Sequence, residues 1–83
     1  MKSEIKQEVI DDLFNGTNFG PEGETPEGRR RLVAMCVMKR TCGYRDGHTI
    51  ETICKWLGVL TPLGNPTKAA KNWAYHELIH AAR

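Results

Sequence analysis

Residues 25–43 read "TPEGRRRLVAMCVMKRTCG", a helix that carries both its start and its stop signals. Thr25 is a good N-cap. Pro26 suits the first helical position, where its missing N–H would have had no intrahelical acceptor, and Gly43 suits the position after the last turn. Between them, Leu32 to Met38 carries no polar side chain. At 3.6 residues per turn such a run covers every side of the helix, so it cannot lie on a surface with one face in water. The spacing predicts a helix over 26–42 running through the middle of a core, with the rest of the chain wrapped around it. The same run is far shorter than the roughly 20 residues needed to span a bilayer, so no membrane association is expected.

With 83 residues, the chain has room for one small domain over 1–83. Three further helices are predicted. Over 3–15, Ser3 is the N-cap, Ile5, Val9, Ile10, Leu13 and Phe14 form an apolar stripe, and Asn15-Gly16 ends the helix. Over 50–57, Ile50, Ile53, Cys54 and Leu57 recur at i, i+3, i+4, i+7, with Thr49 or Asp46 as cap and Gly58 as stop. The last helix, 66–82, follows an Asn65 cap with Pro66 in its first turn. No segment alternates as a strand would. The segment "GTNFGPEGE", 16–24, reads as a mobile loop anchored by Phe19. The expected fold is all-α, a compact bundle of about four helices.

The net charge of +2 does not by itself point to a polyanionic partner. Cys36, Cys42 and Cys54 are odd in number, lack CxxC spacing and follow no secretory signal, which predicts free thiols and a cytoplasmic protein. Cys36 and Cys42 read as small buried residues of the central helix.

Near the C-terminus, "HELIH" (76–80) resembles the zinc-peptidase motif. The resemblance implies His76 and His80 as metal ligands, one turn apart on a helix, and Glu77 as the base that activates a bound water. Only Ala81, Ala82 and Arg83 follow, and none can supply a third ligand. Cys42, His48 and Cys54 could complete a site only by folding back toward the two histidines. No cofactor or metal is expected, and Trp73, His76 and His80 read as packing residues on one side of the last helix.

A second resemblance lies in "IETICKWLGV" (50–59). Ile-x-x-Ile-small-x-x-Leu-Gly-Val resembles the first helix and turn of a helix-turn-helix unit. It implies Cys54 at the helix crossing, Gly58 at the turn and Val59 locking the corner. Pro62, Gly64 and Pro66 lengthen the connection, so the implied unit is a variant form. The last helix would then present Thr67, Lys68, Lys71 and Asn72 to nucleic acid.

The run Arg29-Arg30-Arg31 breaks a local rule. Cations in the first turns of a helix oppose its dipole, at about 0.3–1 kcal/mol each when exposed. An anion must compensate. Nucleic-acid phosphate is one candidate, with Lys39, Arg40 and Arg45 extending the basic surface. An acidic partner protein is another, and the chain's own Glu22, Glu24 and Glu27, with Glu4, Glu8, Asp11 and Asp12 of the first helix, are a third. The three side chains leave the helix about 100° apart and cannot serve one flat contact.

These features predict a small binding protein without enzymatic activity. The leading expectation is a nucleic-acid-associated regulator of phage or mobile-element type, binding through Arg29, Arg30, Arg31, Lys39, Arg40, Arg45, Lys68, Lys71 and Asn72. The alternative is a protein-interaction module, or an inhibitor of a host enzyme or nucleic-acid-handling complex, using the same residues against an acidic partner. A zinc-dependent hydrolase stands third. An exposed Trp56 or Trp73 would mark a homodimer face or partner site.

Overall fold

The computed structural model describes residues 5–81. Four α-helices follow in order: α1 (Gln7–Phe14), α2 (Pro26–Thr41), α3 (His48–Leu57) and α4 (Lys68–Ala81), with a 3₁₀ turn (Gly20–Glu24) between α1 and α2. The described residues contain no β-strand beyond one isolated bridge pairing Leu60 with Pro66. The all-α bundle is as the sequence pattern predicts.

Helix α2 is the axis of the molecule and touches every other helix and the 3₁₀ turn. Thr25 caps it, its hydroxyl oxygen accepting from the Gly28 N–H at 3.0 Å. At the other end Tyr44 N–H reaches the Lys39 carbonyl and Gly43 N–H the Arg40 carbonyl, a pattern that requires the positive φ of Gly43. Val33, Ala34, Cys36 and Val37 are fully buried. They meet Ile10 and Phe14 of α1, Ile50, Ile53 and Cys54 of α3, Val59 and Leu60 of the α3–α4 connection, and Ala70 and Ala74 of α4 in one core. Each larger aliphatic side chain so buried contributes about 1.5–3 kcal/mol. Two alanines on its inner face let α4 lie close along α2.

Three helix starts differ from the sequence expectation, the first for a tertiary reason and the other two through local capping. Helix α1 begins at Gln7, with Ile5 and Lys6 outside it, because the Ile5 carbonyl accepts from the Arg30 guanidinium at 3.1 Å instead of from its own helix. The predicted Ser3 cap lies outside the described residues. Helix α3 begins two residues early: Gly47 is the N-cap, and the Glu51 carboxylate reaches back to the Asp46 N–H at 3.0 Å. Helix α4 begins after Thr67, whose hydroxyl oxygen accepts from Ala70 N–H, so the cap is Thr67 and not Asn65.

Segment 16–24, expected as a mobile loop, is wound down onto α2. Phe19 stacks on Phe14 with ring centroids 5.2 Å apart, and Gly28 is buried where a Cβ would overlap the Glu22 carbonyl. Only glycine allows the 3₁₀ turn to sit this close to α2.

The α3–α4 connection is a small hairpin-like loop. Thr61 N–H donates to the Asn65 carbonyl, Gly64 N–H to the Thr61 carbonyl, and Thr67 N–H to the Val59 carbonyl. Helix α4 runs mainly along α2, and α3 lies against α2 and α1. Helices α3 and α4 therefore do not form the adjoining pair that the helix-turn-helix resemblance implies. The "LGV" signal is a glycine-terminated helix end, with Val59 N–H bonded to the Cys54 carbonyl and Val59 buried beneath it.

Candidate interaction surfaces

The arginine run is compensated from within. Arg29 donates to Asp11 at 2.9 Å and, through Nε, to the Gly23 carbonyl at 2.8 Å. The Gln7 amide and then Arg29 hold the Asp11 carboxyl below the usual aspartate range. Arg31 pairs with Glu22 at 3.1 Å. Arg30 is the most engaged: it donates to the Ile5 carbonyl, the Gln7 side chain and, at 3.2 Å, Glu77, while its guanidinium lies 5.4 Å from the centre of the Trp73 ring. It thus ties the start of α1, α2 and the end of α4 together. The 100° divergence of the three side chains sends each to a different element.

Lys39 and Arg40, expected on the outer basic surface, are also engaged. Lys39 meets Asp46 at 3.5 Å. Arg40 donates to the Gly64 carbonyl at 2.8 Å and lies 3.8 Å from the buried Glu51 carboxylate. Asp46, Glu51 and Glu77 are all the carboxylates between residues 43 and 81, and each is paired with a cation of α2. Arg45, Lys55, Lys68 and Lys71 are exposed and make no ion pair among the described residues; Asn72 is exposed beside them. The acids left over among the described residues, Glu8, Asp12, Glu24 and Glu27, all belong to the first third of the chain. A net charge of +2 thus conceals a polarised surface.

The HELIH segment lies in the last turns of α4. Glu77, the implied base, is held by Arg30. His76 is exposed, edge-on to Tyr75 with centroids 5.9 Å apart, and not half-buried as expected of a packing residue. The side chain of His80 lies outside the described residues. No group of three metal-ligating side chains occurs among the described residues. Cys42 is exposed, against expectation, because it follows the last turn of α2. Cys36 and Cys54 are buried, and the Cys36 thiol together with burial pushes the Cys54 thiol far above its usual range. No helix among the described residues is long and apolar enough to cross a membrane.

Trp56, named from the sequence as a homodimer or partner marker if exposed, does stand in water. Its side chain is 76% exposed on the last turn of α3, and Leu63 on the neighbouring loop is 84% exposed. A hollow of about 330 Å³ lies between Trp56 and Pro62, edged by Thr52 and Lys55. A second, of about 320 Å³, lies on the other flank of Trp56, over Leu13, Thr17, His48, Thr49, Thr52 and Ile53. No carboxylate lines either hollow. The signal was in the sequence: Trp56 falls off the 50-53-54-57 stripe that α3 buries, so it had to face outward. No known protein family, curated protein or solved structure matches the chain.

Proposed function

We propose that the protein is a non-enzymatic interaction module that docks an apolar segment of a partner protein on Trp56 and Leu63. The observation that carries this reading is Trp56, a large apolar side chain standing in water between two hollows, with the equally exposed Leu63 on the loop that follows α3. Exposed patches of this kind mark binding sites, and tryptophan is enriched among residues that dominate binding energy. The surroundings define the partner's chemistry. With Lys55 and His48 at the edges and no carboxylate in the lining, an apolar segment flanked by Asp or Glu is complementary.

The nucleic-acid regulator reading relied first on Arg29, Arg30, Arg31, Lys39 and Arg40. Each of these has an internal partner, which is why the protein-binding reading takes precedence.

The test is selection of peptides from a random library on the immobilised protein, followed by NMR titration of the enriched sequences. The expected result is enrichment of acidic-apolar peptides that shift the Trp56 indole resonance and leave that of Trp73 in place. Trp56→Ala and Leu63→Ser should each weaken binding at least about tenfold, the scale of an interface hot spot. An absence of enriched peptides, or binding unchanged in both variants, overturns the reading. So does concentration-dependent dimerisation through Trp56 seen by sedimentation, which would make a second copy the occupant.

A further inference from the structure

The α4 face turned away from the core has no role in the Trp56 surface, and its composition is of a different kind. Lys68, Lys71, Asn72, Tyr75 and His76 are all exposed, while Ala70 and Ala74 on the opposite side are sealed against α2. By helical geometry the first four of these fall within a sector of about 100°. The face holds no carboxylate: Glu77, the one acid of α4, points to Arg30. Tyr75 is 56% exposed, an aromatic ring in water beside two cations without partners among the described residues.

Two further exposed residues lie at the end of the bundle where this face begins. Helices α2 and α4 run antiparallel, because Arg30 near the start of α2 meets Glu77 near the end of α4, and Arg40 near the end of α2 meets Gly64 just before α4. Tyr44 and Arg45, which follow α2, therefore leave it at the end where α4 begins. Both are exposed. Asp46, the acid nearest to them in sequence, is neutralised by Lys39.

We infer that this face, with Lys68, Lys71 and Tyr75, binds single-stranded nucleic acid, with Arg45 meeting the strand at the adjoining end of the bundle. The two lysines and Arg45 contact phosphates, and Tyr75 stacks under an unpaired base. A cationic track with exposed aromatic rings is the recurrent arrangement for single strands, because every base offers a flat face to stack on. A duplex keeps its bases stacked within itself and leaves the rings idle. The face is pre-formed, since α4 is fixed by the far side that it buries. This surface is separate from the Trp56 hollows, so the two readings stand or fall independently.

The test uses fluorescence anisotropy of a labelled mixed-sequence single strand and of its duplex, titrated with the whole protein at several salt concentrations. If Lys68, Lys71 and Arg45 each neutralise one phosphate, log K falls against log salt with a slope of about −2 for the single strand. Lys68→Glu with Lys71→Glu should abolish measurable binding, and Tyr75→Ala should weaken it about tenfold. Lys71→Glu alone should weaken binding several-fold, and the charge-matched Lys6→Glu at the opposite, acidic end less than twofold. Circular dichroism of each variant separates lost binding from lost folding. No binding at low salt overturns the inference. So does an equal response to Lys6→Glu and Lys71→Glu, or a clear preference for the duplex.

Discussion

The first turns of α2 and the outer face of α4 are both rich in cations, and they have opposite fates. Arg29, Arg30 and Arg31 are contiguous in sequence yet spread over three partners, Asp11, Glu77 and Glu22, so that little of their charge is left to the outside. Lys68 and Lys71 are fewer and less conspicuous in sequence. They share one exposed face with no acid to meet them. A charge run in a sequence therefore marks where compensation is needed, and the free charge collects where compensating groups are missing. In this chain, α2 takes up the three carboxylates of the C-terminal half and thereby leaves that half basic.

The comparison can be broken or sharpened by substitution, and the largest effect is expected where the compensation is anchored. Gly28→Ala should destabilise the fold by about 3 kcal/mol, because its Cβ would overlap the Glu22 carbonyl and lift the 3₁₀ turn that carries Arg31's partner. Urea denaturation measures this. Arg30→Ala should cost about 2 kcal/mol by the same assay, since it strands Glu77 and the Ile5 carbonyl and uncovers Trp73. Arg31→Ala should cost no more than about 0.5 kcal/mol, because both members of its pair are well exposed. Lys68→Ala and Lys71→Ala should stay within about 0.5 kcal/mol of the parent. If they destabilised as much as Arg30→Ala, the distinction between a structural and a free set of cations would be lost.

A smaller effect should appear in acid. Folding depresses the Asp11 pKa, so the stability that the group contributes is complete above its ordinary value near 3.8 and is lost as pH falls through the folded value. Asp11→Asn should therefore flatten the decline of stability between about pH 4 and pH 2, measured as the change in denaturation midpoint.

The central helix was legible because caps, proline and an all-apolar run agree over residues 25–43. Its neighbours were legible as helices and less so at their ends. Two misplaced starts depend on contacts that local pattern does not contain: the Ile5 carbonyl is taken by Arg30, 25 positions away, and Pro66 is drawn into a bridge with Leu60 before α4 can begin. The arginine anomaly was visible, and Asp11 and Glu22 stood among the candidate anions; Glu77 did not, because it arrives from 47 positions away. The helix-turn-helix resemblance misled for a related reason. A glycine-ended helix with a buried following residue satisfies the same short pattern whichever neighbour the next helix then chooses.

The chain's two tryptophans sit in contrasting settings: Trp73 is half-buried beneath a guanidinium and Trp56 stands in water. Their emission should divide accordingly, with Trp73 contributing the shorter wavelengths and Trp56 the longer. In a Trp56→Phe variant the remaining fluorescence becomes a private reporter of the Arg30 junction and therefore of folding. The complementary Trp73→Phe variant makes Trp56 a built-in sensor of the proposed docking, so two unlabelled variants read integrity and occupancy separately.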